Sequence, residues 1–365
     1  MSGDYVGVFE VGDKGVLDLS ANQNSVQLQS MSRFSVFKGG TLKLGKTRVL
    51  TTGADAVHFF LEGAVESSPN GELNMASSGR LVIPDTRDNA LVFDGSIRCK
   101  GDYYSGGAYE GGTAWGSRYP RFFVADIPGV PVDFVFNGHI YGQGDGDGFD
   151  KRDPGVMRMT SANSYGGQSA SAGMTRVHGG TLLLDNVEGS ATGKSRVEVA
   201  KNSTLGGTGF LCGLENSPNA VLSVVGAEGA PATVAPGTID DATGDHVYGT
   251  LTVGSAVHST TATFGNYGRL AVRVGATQAA DALIVHGSVD ISATGTELVV
   301  SADPKASGGT YTILEADAIS GTFATVQKPK NSWKVNYESE EVDGEQVVKR
   351  ITLTVPDVGF SVVVR

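Results

Sequence analysis

Asp145, Asp147, Asp150 and Asp153 fall within nine residues, in the run Gly144-Asp145-Gly146-Asp147-Gly148-Phe149-Asp150-Lys151-Arg152-Asp153. Carboxylates gathered this closely supply the hard oxygens that Ca²⁺ takes, which makes Asp145, Asp147 and Asp150 candidate ligands of a calcium loop. The pattern departs from an EF-hand, which wants Asp or Asn where Phe149 stands and a Glu further on. The Gly-Gly-x-Gly-x-Asp nonapeptide array of calcium-bound β-rolls is missing as well. The competing reading is a solvated acidic loop, neutralised by Lys151 and Arg152 and holding no cofactor. Polysaccharide cleavage needs paired carboxylates, or Ca²⁺ with a basic residue. Asp133, Asp145, Asp147 and Arg152 are the local set that could supply them.

A second concentration of chemistry is aromatic. Tyr103, Tyr104, Tyr109, Trp115, Tyr119, Phe122 and Phe123 lie between 102 and 123, spaced by glycine pairs. Such rings stack on sugars or anchor a protein partner, so Tyr103, Tyr104, Tyr109, Trp115 and Tyr119 are the candidate ligand contacts. The plainer alternative is that they cover the fold. Other chemistries fare worse. The six histidines, at 58, 139, 178, 246, 258 and 286, form no HxH or HExxH cluster, and no GxSxG elbow occurs. The run from Gly189 to Ser195 is one residue short of a phosphate loop and opens onto a strand, Arg196-Val197-Glu198-Val199, where a helix N-terminus is needed. Cys99 and Cys212 have no metal-ligand spacing.

The elements that position these residues are strands. Val16-Leu17-Asp18-Leu19, Thr41-Leu42-Lys43-Leu44, Arg80-Leu81-Val82-Ile83, Thr181-Leu182-Leu183-Leu184 and Leu270-Ala271-Val272-Arg273-Val274 alternate with period two. Each is bounded by Gly, Asn, Asp or Ser. No segment of twelve or more residues carries an uninterrupted helical pattern. Thr181 and Thr204 are 23 residues apart, Thr250 and Thr296 fall on the same 23-residue grid, and Asn163 and Asn186 are again 23 apart. A repeat of this size with several short strands matches one coil of a parallel β-helix. Its coils stack at about 4.8 Å, with inward apolar ladders, glycine at the corners, and asparagines stacked on one another there. Composition agrees: Gly contributes 52 of 365 residues, and charged residues are only 18%. Cys99 and Cys212 would sit about five coils and roughly 24 Å apart, too far for a disulfide, so two free thiols are expected.

Residues 157–210 carry a longer pattern. Met157-x-Met159-x-Ser161-x-Asn163-x-Tyr165-Gly166-Gly167 leads to Thr175-Arg176-Val177-His178-Gly179-Gly180-Thr181-Leu182-Leu183-Leu184, and then to Asn202-Ser203-Thr204-Leu205-Gly206-Gly207-Thr208-Gly209. This resembles the autotransporter-associated β-strand repeat of bacterial surface proteins, over about 155–325. The resemblance implies a right-handed parallel β-helix passenger, exported and displayed outside the cell as a stalk or scaffold, with no catalytic residues of its own. The chain departs from the repeat in the extra residues 168–172, which should bulge one corner. The ten residues after Val355 cannot hold a C-terminal membrane barrel. The opening residues show no secretory signal, so the expectation is a piece of a longer exported protein.

The combined expectation is an all-β chain, a right-handed parallel β-solenoid with a long loop insertion and a C-terminal cap. Its parts are N-terminal coils over 1–100, a loop-rich insertion over 101–154, repeat-family coils over 155–325 and cap strands over 326–365. The net charge of −11 argues against nucleic acid, and no apolar run is long enough for a membrane-spanning helix. The function expected is a non-enzymatic, adhesin-like scaffold at the bacterial surface or in the extracellular medium, with a glycan or a host or cell-surface protein as partner. The alternative is a polysaccharide-binding or polysaccharide-degrading β-helix acting through the loops of 101–153.

Overall fold

The computed structural model describes residues 7–22, 26–29, 31–52, 58–75, 79–99, 102–105, 115–118, 120–142, 147–166, 173–211 and 221–356. Within them the chain forms a parallel β-solenoid with three walls. The first wall is built from Gly7–Val11, Met31–Val36, His58–Leu61, Arg80–Ile83, Arg121–Val124, Phe149–Arg152, Met174–Val177, Arg196–Val199, Val221–Val224 and Thr260–Phe264, which open the first to tenth coils. The second wall runs from Leu91–Phe93 through Gly180–Leu184 and Gly268–Val274 to Thr325–Gln327. The first three coils carry Val16–Asp18, Thr41–Gly45 and Ala64–Ser67 in that place. A five-stranded sheet makes the third wall beside the early coils. The long strands Ala282–Asp290 and Gly309–Ser320 later join the third wall to the first.

Period-two alternation produces this shape because every second side chain points into the tube. On the first wall Phe34, Phe59, Leu81, Phe122, Lys151, Val177, Val199, Val224 and Phe264 stand in register. On the second, Leu91, Phe134, Met157, Leu182, Leu205, Val234, Leu270 and Leu298 do the same. All but Lys151 are apolar, and all are at most 2% exposed. Each buried side chain of this size stabilises the fold by about 1.5–3 kcal/mol. Stacked rings follow the coil pitch, Phe122 on Phe149 at 4.8 Å and Phe9 on Phe34 at 5.1 Å between centroids.

Lys151 occupies an inward position of this ladder. Its Nζ donates to the carbonyls of Asp153 (2.7 Å), Gly179 (2.8 Å) and Gly155, three oxygens that a corner would otherwise leave buried. Burial, opposed by Asp153 and Asp133, pushes the ammonium down to about 7. Lys151 therefore ties a corner together, and Arg152 pairs with an acid of the run, Asp150, at 3.2 Å.

The sequence spacings are only partly structural. Thr181 does pair with Thr204, but the next residue on that ladder is Thr233. Thr250 lies on the third wall opposite Ala282, and Thr296 is a buried corner residue bonded to the Ile291 carbonyl. Asn163 and Asn186 hold corners by bonding backbone. Asn163 accepts from the Ile140 N–H (2.5 Å) and donates to the Ala191 carbonyl (2.6 Å), and Asn186 accepts from the Phe210 N–H (2.9 Å). Met159 pairs with Leu184, so the two asparagines are out of register and do not stack. Cys99 is a buried free thiol. Leu211, beside Cys212, lies four coils further on rather than five, because insertions lengthen the intervening coils; Cys212 itself is outside the described residues.

Segment 120–142 contains a full coil, with strands Arg121–Val124, Phe134–Phe136 and Ile140–Tyr141 in the three walls. The stack ends where Glu345–Val355 pairs antiparallel with Gly309–Ser320 and Lys334–Val342 adds outside it. Asp343 and Gly344, both at positive φ, make the two-residue turn between those last strands.

Candidate functional site

The second wall carries an antiparallel insertion on its outer face. Thr238–Ile239 pairs with His246–Val247 around a turn in which the Asp240 carboxylate accepts from the N–H groups of Ala242 and Thr243, both at 2.9 Å. Those donors hold Asp240 below the usual carboxylate range. The insertion leaves the wall through Gly237, at φ +91°, where a Cβ would stand 2.6 Å from the Asp281 carboxylate and the His246 ring. Its tip reaches Pro131, which a Cβ on Gly244 would meet at 3.4 Å, so this flap lies along the axis from the ninth coil back to the fifth.

Arg158 of the sixth coil pins the flap. It bonds Asp241, the Thr238 hydroxyl (3.1 Å) and the Ile239 carbonyl, and its Nε lies 2.9 Å from the Asp185 carboxylate. Asp185 also accepts from Thr238 Oγ1 (2.5 Å) and from the Thr208 N–H (2.9 Å). Arg158 is only 7% exposed.

A cleft of about 310 Å³ opens beside the flap. Its floor carries Leu183, Gly206 and Ala235 in register, then Ala271 paired with Val299, and the three small residues in the middle dent the wall. Thr181 and Thr204, paired with one another, line one side, and His246, Asp281 and Arg273 the other. His246 donates from Nε2 to Asp281, at 2.9 and 3.0 Å from its two oxygens. Asp281, 1% exposed, also accepts from the N–H groups of Arg273 (2.9 Å) and Gly249 (3.2 Å). Arg273 Nε donates to Asp303 at 2.8 Å, and Tyr248 donates its hydroxyl to the same carboxylate. Burial and that bond push Tyr248 up to about 12, and the bond holds Asp303 down. Each of these ionisable groups is already bonded to another. The cleft thus offers hydroxyls, the edge of an imidazole held by a buried carboxylate, and a shallow apolar floor. Family models match no part of the chain, and curated proteins give no match.

A second, more polar cavity of about 540 Å³ lies on the third wall. His139 Nε2 is 2.9 Å from Ser164 Oγ there, and Glu72, Ser96 and Tyr141 line the same space. Burial lowers the His139 pKa, which favours the neutral ring. Among the described residues no carboxylate bonds its other nitrogen, so the pair lacks the orienting acid that an activated serine needs.

The residues singled out from the sequence are dispersed. Asp133 receives the N–H groups of Ile127 and Val156, both at 2.6 Å, and clamps a loop; burial pushes its pKa up against those donors. Asp147 is buried against Gly142 and adds to the burial that pushes the Cys99 thiol up. Asp150 lies on the outer side of the first wall, bonded to Arg152. Asp145 is outside the described residues, and among those described no three His, Cys, Asp or Glu side chains converge as a metal would require. The strands Asp102–Ser105 and Trp115–Arg118 form an antiparallel hairpin, with Trp115 opposite Ser105 and Tyr104 opposite Gly116; Tyr103 is opposite Ser117. Tyr109 and Tyr119 lie outside the described residues. The Gly189 to Ser195 run is a buried corner, where Thr175 Oγ1 bonds both Ser195 Oγ and Tyr165 OH at 2.7 Å. The flap residues escaped the sequence reading because their partners lie 35 to 83 positions away.

Proposed function

We propose that this chain is a non-enzymatic binding scaffold: a β-helix segment of an extracellular or surface-displayed bacterial protein, of the autotransporter passenger type, that presents a glycan or protein partner with sites on its walls and corners. The observation that supports this reading best is the state of the cleft beside the flap. His246, Asp281, Arg273, Tyr248 and Asp303 are bonded among themselves, and the surface left to a ligand is threonine hydroxyl and small-residue floor. A cleft so arranged suits one sugar ring of a neutral glycan, held by hydroxyls and stacked on a shallow apolar base. It lacks the pair of unengaged carboxylates on which glycoside cleavage depends.

The test is incubation with a panel of host and plant polysaccharides, read by retardation in affinity gels and by the appearance of new chain ends. Retardation by a neutral glycan without cleavage is expected, weakened when Thr204 is replaced by Val. Cleavage abolished by substitution of Asp147 or Arg152 would overturn the reading in favour of an enzyme.

A further inference from the structure

The outer face of the first wall concentrates positive charge in a protein whose net charge is −11. One outward column reads Arg33, His58, Arg80, Arg121 over the second to fifth coils, in continuous register. The neighbouring outward column reads Ser35, Phe60, Val82, Phe123 over the same coils. No carboxylate occurs in either column across these four coils. Glu10 precedes Ser35 in one, and Asp150 follows Arg121 in the other, so acids bound the patch at both ends.

The fold itself does not call for this arrangement. Like charges directly opposite on paired strands destabilise a sheet, and parallel register sets these residues about 4.8 Å apart at the backbone. The guanidiniums lie over rings: Arg33 is 5.8 Å from the Phe37 centroid and 5.3 Å from that of Phe60, and Arg80 is 5.6 Å from that of Phe123. Phe37, Phe60 and Phe123 are half-buried, with part of each surface open. Glu62, on the flanking corner, has both oxygens engaged, by the Lys38 N–H at 3.1 Å and by the Thr86 hydroxyl at 2.6 Å. Burial and the neighbouring Arg152 and Arg80 lower the Arg121 pKa, in keeping with cations crowded on one surface.

We infer that the outer face of the first wall, from Arg33 to Arg121, is a docking surface for an acidic polysaccharide laid along the solenoid axis. Charge complementarity selects the partner. The guanidiniums of Arg33, Arg80 and Arg121, with the His58 ring between the first two, span about 14 Å, three inter-strand steps, which matches a short stretch of a chain bearing carboxylates or sulfates at intervals. Beside them, Phe60 and Phe123, on either side of Val82, hold the guanidiniums of Arg33 and Arg80 over their rings and leave apolar edges that a sugar ring can pack against. A nucleic acid, with its dense phosphates, would meet this short patch and then the acidic remainder of the protein, which repels it. The inference rests on the reading of the chain as a binding scaffold and assigns its partner class on a surface separate from the cleft.

The experiment compares wild type with Arg80→Gln/Arg121→Gln in affinity gels containing a uronic acid polymer, a sulfated glycan, a neutral glycan or single-stranded DNA. Acidic glycans should retard the wild type, with affinity falling as salt rises, and the double variant should bind them about tenfold or more weakly. Its melting temperature should stay within a few degrees of wild type, and its binding of neutral glycan should be unchanged. Absence of retardation by both acidic glycans would overturn this inference, and retardation by the neutral glycan would leave the scaffold reading standing. Equal retardation by DNA, or equal acidic-glycan binding by the double variant, would also overturn it.

Discussion

Arg158→Met isolates what holds the flap over the second wall. Methionine keeps much of the packing and removes the guanidinium. The bond to Asp241 adds little, because that carboxylate is more than half exposed. The bonds to Thr238 Oγ1 and the Ile239 carbonyl are shielded, and Asp185 loses the cation beside it. Hydrogen bonds from a charged donor contribute about 1.5–3 kcal/mol each, so the two shielded bonds together hold the flap by about 3–6 kcal/mol. At about 1.4 kcal/mol per factor of ten, flap opening should rise roughly 10²- to 10⁴-fold. Native-state hydrogen exchange reads this directly. The Asp240 and Gly244 N–H groups, bonded within the flap to the Asp245 and Asp240 carbonyls, should exchange faster by that factor. Amides of the inner ladder, such as Leu182, should keep their wild-type protection. Wild-type exchange in the flap would mean that its other bonds, Thr238 to Asp185 and His246 to Asp281, suffice to hold it, and the assignment of Arg158 as its anchor would fail. Uniform acceleration through the coils would show that Arg158 supports the wall instead.

Three further outcomes are expected. Lys151 stands at about 7 in the fold and near 10.4 in the unfolded chain. The unfolded state therefore holds a proton that the folded state lacks from about pH 7 upward, and stability should climb by up to about 1.4 kcal/mol per unit. The climb should flatten above about pH 8.5, where the unfolded Cys99 thiol ionises while burial keeps the folded one protonated. Denaturant titrations of wild type and Lys151→Met should differ in this slope, and equal slopes would refute the assignment. Asn163→Ala leaves the Ile140 N–H and the Ala191 carbonyl buried without their partner and should cost about 2–5 kcal/mol, measured by chemical denaturation. A loss under 0.5 kcal/mol would show that the corner relaxes around the change. In a Cys212→Ala background Cys99 should resist iodoacetamide at pH 8 until the protein is unfolded, and rapid labelling of the native form would contradict its burial.

The walls were legible because alternation is a local property: Arg80–Ile83 and Gly180–Leu184 announce their inward faces in four or five residues. Thr181 over Thr204 also marks a true coil step, whereas Thr250 and Thr296 share its spacing without sharing its ladder. Gly and Thr are common enough to create such accidents, and insertions shift the register that an arithmetic grid assumes. The candidate sites were less legible. Lys151 looked like part of an acidic loop, yet its strand turns it inward to three carbonyls. Arg158 and His246 gave no local sign, since their partners meet them only after coils have stacked. Two signals were present in the sequence and unused. Asp343-Gly344 is a hairpin turn pair, and the basic residues heading Arg80–Ile83 and Arg121–Val124 open strands that pair.

Coil length and axial advance are independent in this molecule. Phe59 to Leu81 is a step of 22 residues and Leu81 to Phe122 one of 41, yet both are single rungs between hydrogen-bonded neighbours. The reach of the rod is therefore quantised at about 4.8 Å per coil and indifferent to how much sequence a corner carries. Duplicating a whole coil would lengthen the ruler by one graduation, while grafting residues between Cys99 and Pro120 or at the flap root would change what the surface carries and leave every mark on the ruler where it was.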